Sequence, residues 1–435
     1  VEDAVKKAKH IFPAWKLTSI VKRAEYLKKF CTLLTKNKEE LATLMTNEMC
    51  KPIRQSRDEI NAEIGFIEWY VANAPIALNE QTVQENETNI YKLLYEPYGI
   101  CASITPWNFP VTMTSSAICQ QILAGNVVIL KPSEYTPLTQ KRFVELLNQT
   151  GLPQGVVSCL FGEGNVGKLL VESDIDLVWF TGSTSVGQEI NQKCAKKFIK
   201  CILELGGSSP GIVFANCDLD KTVEELYIAR FLNCGQVCNA VKRLFVEQPI
   251  FSQLVRKLTK KIENVQLGNP SNNITDMGPL VSNEQRQTLE SQVADAIRKG
   301  AKIVVGGKRP PGKEFSQGFY YSPTLLTNVT PDMRIYKEET FGPVLPIMPF
   351  TSESEVIKFA NQTEYGLSAE IYTTDREKAE RVAHQLEAGI IGINTDNYYV
   401  PFCPAGGYKK SGMGREYGIE GFRELTQIKY ICVAK

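Results

Sequence analysis

Histidine is nearly absent from this chain: two in 435 residues, His10 and His384. A thiol or hydroxyl nucleophile commonly relies on a neighbouring imidazole. Here His10 falls in a Lys-rich amphipathic segment, and His384 follows the charged run Glu377-Lys378-Ala379-Glu380-Arg381-Val382-Ala383. Neither reads as a catalytic partner, so any nucleophile must be activated by dipoles, a cofactor charge or a carboxylate. Excess charge is lacking too. Lys+Arg 49 against Asp+Glu 48 leaves +1, which gives no electrostatic case for nucleic acid. No apolar run approaches the ~18 residues of a membrane span. The twelve cysteines include no Cys-x-x-Cys pair. With so few histidines no metal site is expected, and a disulfide scaffold is out of character for a chain of this size. Reduced thiols in a cytoplasmic protein are the plain expectation.

The length accommodates two or more domains with substantial cores. The opening Val1-Glu2-Asp3-Ala4-Val5-Lys6-Lys7-Ala8 begins in the middle of an amphipathic pattern, so the natural N-terminus is expected to have been trimmed. Residues 1–80 read as helices, with threes-and-fours apolar spacing in 19–30. From about residue 91 short apolar runs alternate with helical stretches. Ile100–Ile104, Val127–Leu130, Val156–Leu160 and Leu177–Phe180 are candidate strands, and Pro137–Leu147 is a helix between them. A second series includes 211–214, 244–246, 302–305 and 389–394. Such alternation predicts parallel sheets covered by helices, in two α/β domains with a boundary near Leu205-Gly206-Gly207. The β-capable segments 82–96 and 427–433 predict a pairing arm for subunit association.

Several motifs could carry chemistry. Cys238 closes Asn233-Cys234-Gly235-Gln236-Val237-Cys238. Thr181-Gly182-Ser183-Thr184 is a strand–turn–helix junction where backbone N–H groups could meet a phosphate. Lys131-Pro132-Ser133-Glu134 follows a strand, where an acid could hold ribose hydroxyls and repel a 2′-phosphate. Asn108, between prolines and aromatics in Thr105-Pro106-Trp107-Asn108-Phe109-Pro110, could serve as a preorganised oxyanion donor. Glu204 interrupts the apolar run Leu203-Glu204-Leu205, as a general base with a raised pKa would. Glu339 and Phe341 could hold a ribose and the face of a planar ring. Taken singly, each fits an ordinary turn or a solvated residue about as well.

Together and in order, Asn108, Lys131, Gly182, Glu204, Cys238, Glu339 and the segment 401–416 resemble the NAD(P)-dependent aldehyde dehydrogenase superfamily over essentially the whole chain; only the N-terminal strands common in that family lack a counterpart. The resemblance implies a Rossmann-like cofactor-binding domain (1–79 and 98–205), an α/β catalytic domain (206–418) and a small β oligomerisation arm (80–97 and 419–435). It implies Cys238 as nucleophile, Glu204 as general base and Asn108 as oxyanion donor. Cofactor contacts fall on Ile104, Pro106, Trp107, Lys131, Ser133, Glu134, Gly182, Ser183, Val186, Leu205, Glu339 and Phe341. Glu134 tilts the cofactor toward NAD, with NADP possible. The partners implied are a small-molecule aldehyde and further copies of the chain in a homodimer or homotetramer. The short chain and the run 235–243 are most similar to the succinate-semialdehyde dehydrogenases. Lactaldehyde or broad aliphatic aldehydes are alternatives, as are a CoA-acylating enzyme and a catalytically silent relative. Lys242 and Arg243 read as surface residues, so no pocket cation is placed. Two departures stand out. The family's Pro-x-Gly-Gly-x-Lys stretch carries extra residues in 401–409, including the loop thiol Cys403. Ala117 stands where some members have a proton-relay lysine, although Glu416 is kept.

Overall fold

The computed structural model describes residues 1–435. Uninterrupted apolar runs set its first sheet. Val127–Lys131 is buried along its whole length, as a strand covered on both faces must be. Ile100–Ile104, the first of these strands in the chain, lies in the middle of the sheet. Val127–Lys131 and then Val157–Cys159 extend it on one side, and Leu177–Thr181 and then Lys200–Glu204 on the other, all parallel. The winding direction therefore reverses between Ile100–Ile104 and Leu177–Thr181, the place where open α/β sheets bind ligands at their carboxyl edge. Register aligns that edge: Ile104 is level with both Phe180 and Lys131, and Thr181 with Glu204.

The second sheet runs Lys302–Val305, Thr324–Thr327, Val344–Phe350, Val241–Glu247, Ser209–Val213, Ser368–Tyr372, Ile390–Ile393. Only Lys302–Val305 is antiparallel to its neighbour. Each sheet has its own apolar core, and the first is completed by the four helices Glu2–Trp15, Ile20–Lys36, Lys38–Met49 and Ile53–Leu78. No helix is long and apolar enough to cross a membrane.

The chain departs from the sequence-based division after residue 400. Ala405 and Tyr417, expected in the second domain, belong to the first core, as do Phe422 and Leu425, expected in the arm. Gly412–Met413 adds an antiparallel strand beside Lys200–Glu204. Buried apolar side chains draw 405–425 back to the first sheet, and only Thr426–Ala434 continues as an arm strand. It pairs with Asn89–Pro97, which also pairs with Gln81–Glu85. In this sheet Ile428 and Tyr430 are 61% and 60% exposed.

Arg243 and Lys242 also differ from expectation: both are buried. The strand Val241–Glu247 is covered on both faces, so a charged side chain has no outward direction to take. The Arg243 guanidinium donates to the carbonyls of Ser208, Phe359 and Ala360 at 2.9–3.0 Å, and lies over the Phe245 and Tyr336 rings. Burial lowers its pKa to about 10. Arg243→Leu strands the Ser208 and Ala360 carbonyls, while that of Phe359 keeps the Gln362 N–H, and is expected to cost about 3 kcal/mol, measured as a lowered calorimetric transition.

Candidate active site

The carboxyl edge of the first sheet supplies one wall of a cavity of about 660 Å³. Pro106, Trp107, Asn108, Gly182, Ser183, Glu204 and Leu205 line it from that edge, and Cys238, Glu339 and Phe341 from the second domain. Ten of the expected site residues thus share one space. Ile104, Lys131, Ser133, Glu134 and Val186 lie outside its lining. Ile104 and Lys131 end adjacent strands. Ser133 and Glu134 form the next turn, where the Lys131 ammonium meets the Glu134 carboxylate at 3.2 Å and Ser133 Oγ accepts from the Tyr135 N–H. Val186 is exposed on the helix Thr184–Ala195.

That helix has no acid in its first turn and no side-chain cap on its amino end. Its first N–H groups are left for a phosphate. With the buried Lys131 two strands away along the same carboxyl edge, these residues fit the pyrophosphate and ribose of a dinucleotide.

Cys238 is placed by an unusual turn. Asn233, Cys234 and Gly235 all adopt left-handed backbone (φ 50°, 57° and 70°). A Cβ at Gly235 would collide with the Gly342 carbonyl, so the position requires glycine. The turn is locked from outside: Asn233 N–H donates to Gln55 Oε1 at 2.9 Å, and Asn233 Nδ2 to the Asn108 carbonyl at 2.9 Å. Asn108 Nδ2 answers by donating to the Gln236 carbonyl at 3.0 Å. Cys234, expected to be a packed thiol, is buried.

Every carbonyl from Glu339 to Gly342 is held by a side chain: Glu339 by Gln292, Thr340 and Gly342 by Arg230, and Phe341 by Gln285. The Phe341 ring stands edge-on to Trp107 with centroids 5.6 Å apart. Lys242, missed in the sequence, bridges the two second-domain segments. Its ammonium donates to Glu339 Oε1 and to the Cys238 carbonyl, both at 2.6 Å. The one available signal was its position, with Arg243, just ahead of the apolar Leu244-Phe245-Val246 of the same strand.

Burial dominates the electrostatics. It pushes the Cys238 thiol up to about 11, with Lys242 pulling down and Glu339 and Glu204 pushing up. It also lifts Glu204 to about 8 against the pull of Arg415, and Glu204 Oε1 has no hydrogen-bond partner. The arrangement offers a half-buried thiol, an amide donor and an unengaged acid around one space, with a dinucleotide-compatible edge beside it. A second buried acid, Glu370, also faces the cavity and accepts from the phenols of Tyr372 and Tyr398. Like Glu204, it is a lone acid in an apolar strand, and that pattern could have found it.

The model of the aldehyde dehydrogenase family matches residues 1–431. Betaine aldehyde dehydrogenase of Bacillus subtilis is 39% identical over 99% of this chain and 89% of its own. The succinate-semialdehyde dehydrogenase [NADP(+)] of Escherichia coli is 35% identical over the same shares, 99% and 89%. A solved betaine aldehyde dehydrogenase from Staphylococcus aureus, a point mutant in complex with NAD+, superposes with a TM-score of 0.96 at 33% identity, covering 99% of this chain and 89% of that one. The chain belongs to the aldehyde dehydrogenase family.

Proposed function

We propose that the protein oxidises an aldehyde to its carboxylic acid, with NAD as the preferred oxidant and Cys238, Glu204 and Asn108 as the reacting group, the base and the oxyanion donor. The observation that carries this reading is their convergence, with Glu339 and Phe341, on one cavity. The Cys238 sulfur adds to the aldehyde carbon, and the oxygen is held by the Asn108 amide and the Cys238 backbone N–H. Asn108 Nδ2 spends one N–H on Gln236 and keeps the other. A preorganised donor of this kind is worth about 3 kcal/mol of barrier. A bound nicotinamide dinucleotide supplies the hydride acceptor, and its ring charge favours the thiolate. Glu204 then takes a proton from the water that cleaves the Cys238 thioester, and its unengaged oxygen is suited to that task.

The Lys131–Glu134 pair supports NAD, because Glu134 would repel a 2′-phosphate; the E. coli relative's NADP(+) keeps that cofactor open as a second choice. Lys51 is the only basic side chain lining the cavity, and it is paired with the buried Glu59. That weighs against a carboxylated aldehyde, including succinate semialdehyde. The exposed Ile428 and Tyr430 on the arm support a homodimer or homotetramer built through that sheet. Twelve unbridged cysteines suit a reducing compartment such as the cytoplasm.

Cys238→Ala is expected to abolish NADH formation from any aldehyde. Glu204→Gln is expected to retain a first burst of NADH and then accumulate acyl-enzyme, visible by intact mass. Because the base form of Glu204 grows as pH rises through about 8, steady turnover should rise across the same range and lose that rise in the variant. Removing the Lys242 cation should raise the thiol pKa, so Lys242→Met is expected to slow alkylation of Cys238 by iodoacetamide several-fold at fixed pH. Tyr430→Asp with Ile428→Asp is expected to yield a smaller species in sedimentation velocity.

A further inference from the structure

The cavity extends beyond the reacting groups, and among its remaining aliphatic and polar lining it carries a set of acids and aromatic rings. Away from the carboxyl edge of the first sheet it is lined by Phe66, Tyr398 and Tyr399 and by the acids Asp58, Glu370 and Asp396. The cavity's one cation, Lys51, is already neutralised by Glu59 and covers the Phe109 ring at 3.7 Å. Glu63, also in the lining, is buried with Oε1 unpartnered. Glu370 is 2% exposed and sits in the middle of the buried strand Ser368–Tyr372. Its two oxygens accept from the phenols of Tyr372 and Tyr398, the latter at 3.1 Å. Asn239, the residue after Cys238, donates its amide to the same Tyr398 oxygen at 3.3 Å. The acid is therefore tied to the nucleophile's own loop.

We propose that this wall selects aldehydes that carry an ammonium or quaternary ammonium group, held against the Tyr398 and Tyr399 rings and the carboxyls of Glu370 and Asp396. The proposal rests on the aldehyde-oxidising reading above. Aromatic faces attract a desolvated cation, and no buried lysine or arginine has to be displaced to admit one. Burial lifts Glu370 to about 8 and Asp396 to about 6, the latter also through a proton-sharing contact with Glu225. A bound cation favours the ionised forms of both acids, whereas a carboxylated aldehyde meets repulsion from each that is ionised. One wall thus attracts one sign of substrate and rejects the other.

The test compares three aldehydes of similar bulk on the purified full chain with NAD and with NADP: trimethylammonioacetaldehyde, its neutral isostere 3,3-dimethylbutanal, and succinate semialdehyde. The cationic aldehyde is expected to exceed the neutral one in kcat/KM by about tenfold, with the anionic one lowest. In Glu370→Gln and in Asp396→Asn the cation-to-neutral ratio should fall several-fold. Choline should slow alkylation of wild-type Cys238, a readout that needs no variant. Equal or better turnover of the neutral or anionic aldehyde, or no protection by choline, overturns the proposal while leaving aldehyde oxidation standing. No turnover of any of the three overturns both.

Discussion

Two reciprocal hydrogen bonds fasten the halves of this site together. Asn108, on the first domain's switch-point loop, donates to the Gln236 carbonyl, and Asn233, on the second domain's turn, donates to the Asn108 carbonyl. Both residues are buried, so each bond contributes about 1 kcal/mol when made and costs about 1–3 kcal/mol when a partner is left unpaired. The constraint spreads from there. Asn233 opens three consecutive left-handed residues, and Gly235 in that run packs against the Gly342 carbonyl. Arg230 grips the same carbonyl and that of Thr340, which fixes Phe341 between them and Glu339 just before them. One amide side chain therefore sets the distance between two domains, the attitude of Cys238 and the position of the ring that faces Trp107.

Burial explains why the groups brought together are mostly uncharged at rest. The Cys238 thiol is held high, and Glu204, Glu370 and Glu416 are all raised, with desolvation the first cause in each case. Lys242 is the counterweight. It is buried, desolvation lowers its pKa, and the Glu339 carboxylate opposes that shift. Under the proposed chemistry, a cationic ring beside Glu339 and Phe341 adds the missing positive charge at the sulfur. In a chain with two distant histidines, activation of the thiol then falls to an ammonium on one side and the cofactor on the other.

How much of this was legible follows from which signals are local. The strand Ile100–Ile104 was visible residue for residue, because a parallel strand buried on both faces is written as an apolar run between Gly and Pro. Asn108, Glu204 and Cys238 stood out through their joint order along the chain, since each alone fits an ordinary turn or a solvated residue, and the fold brings all three to one cavity. Lys242 and Arg243 were misread because their burial depends on what packs over the strand, and the carbonyls that satisfy Arg243 come from positions as distant as Ala360. The same limit hid the return of 405–425 to the first core, since Ala405, Tyr417 and Phe422 carry no local mark of which core they will join. Glu370 carried the same mark as Glu204. It went unremarked because the phenols that hold it, Tyr372 and Tyr398, are brought together only by the fold.

That returning segment also decides which of two neighbouring acids ionises. Gly412 pairs with Glu204 in the sheet, so the next turn brings Arg415 and Glu416 beside the same carboxyl. Arg415 favours the charged form of Glu204, whereas Glu416, with both oxygens buried and unpartnered, is pushed well above its ordinary range by burial and then by the Glu204 charge itself. Two acids coupled in this way give up one proton far more readily than two. The guanidinium assigns that first ionisation to Glu204, and Glu416 keeps its proton. The charges that act on Glu416 are those of Glu204 and Glu63, and both oppose its ionisation. The segment 412–416 thus sets the protonation order at the base.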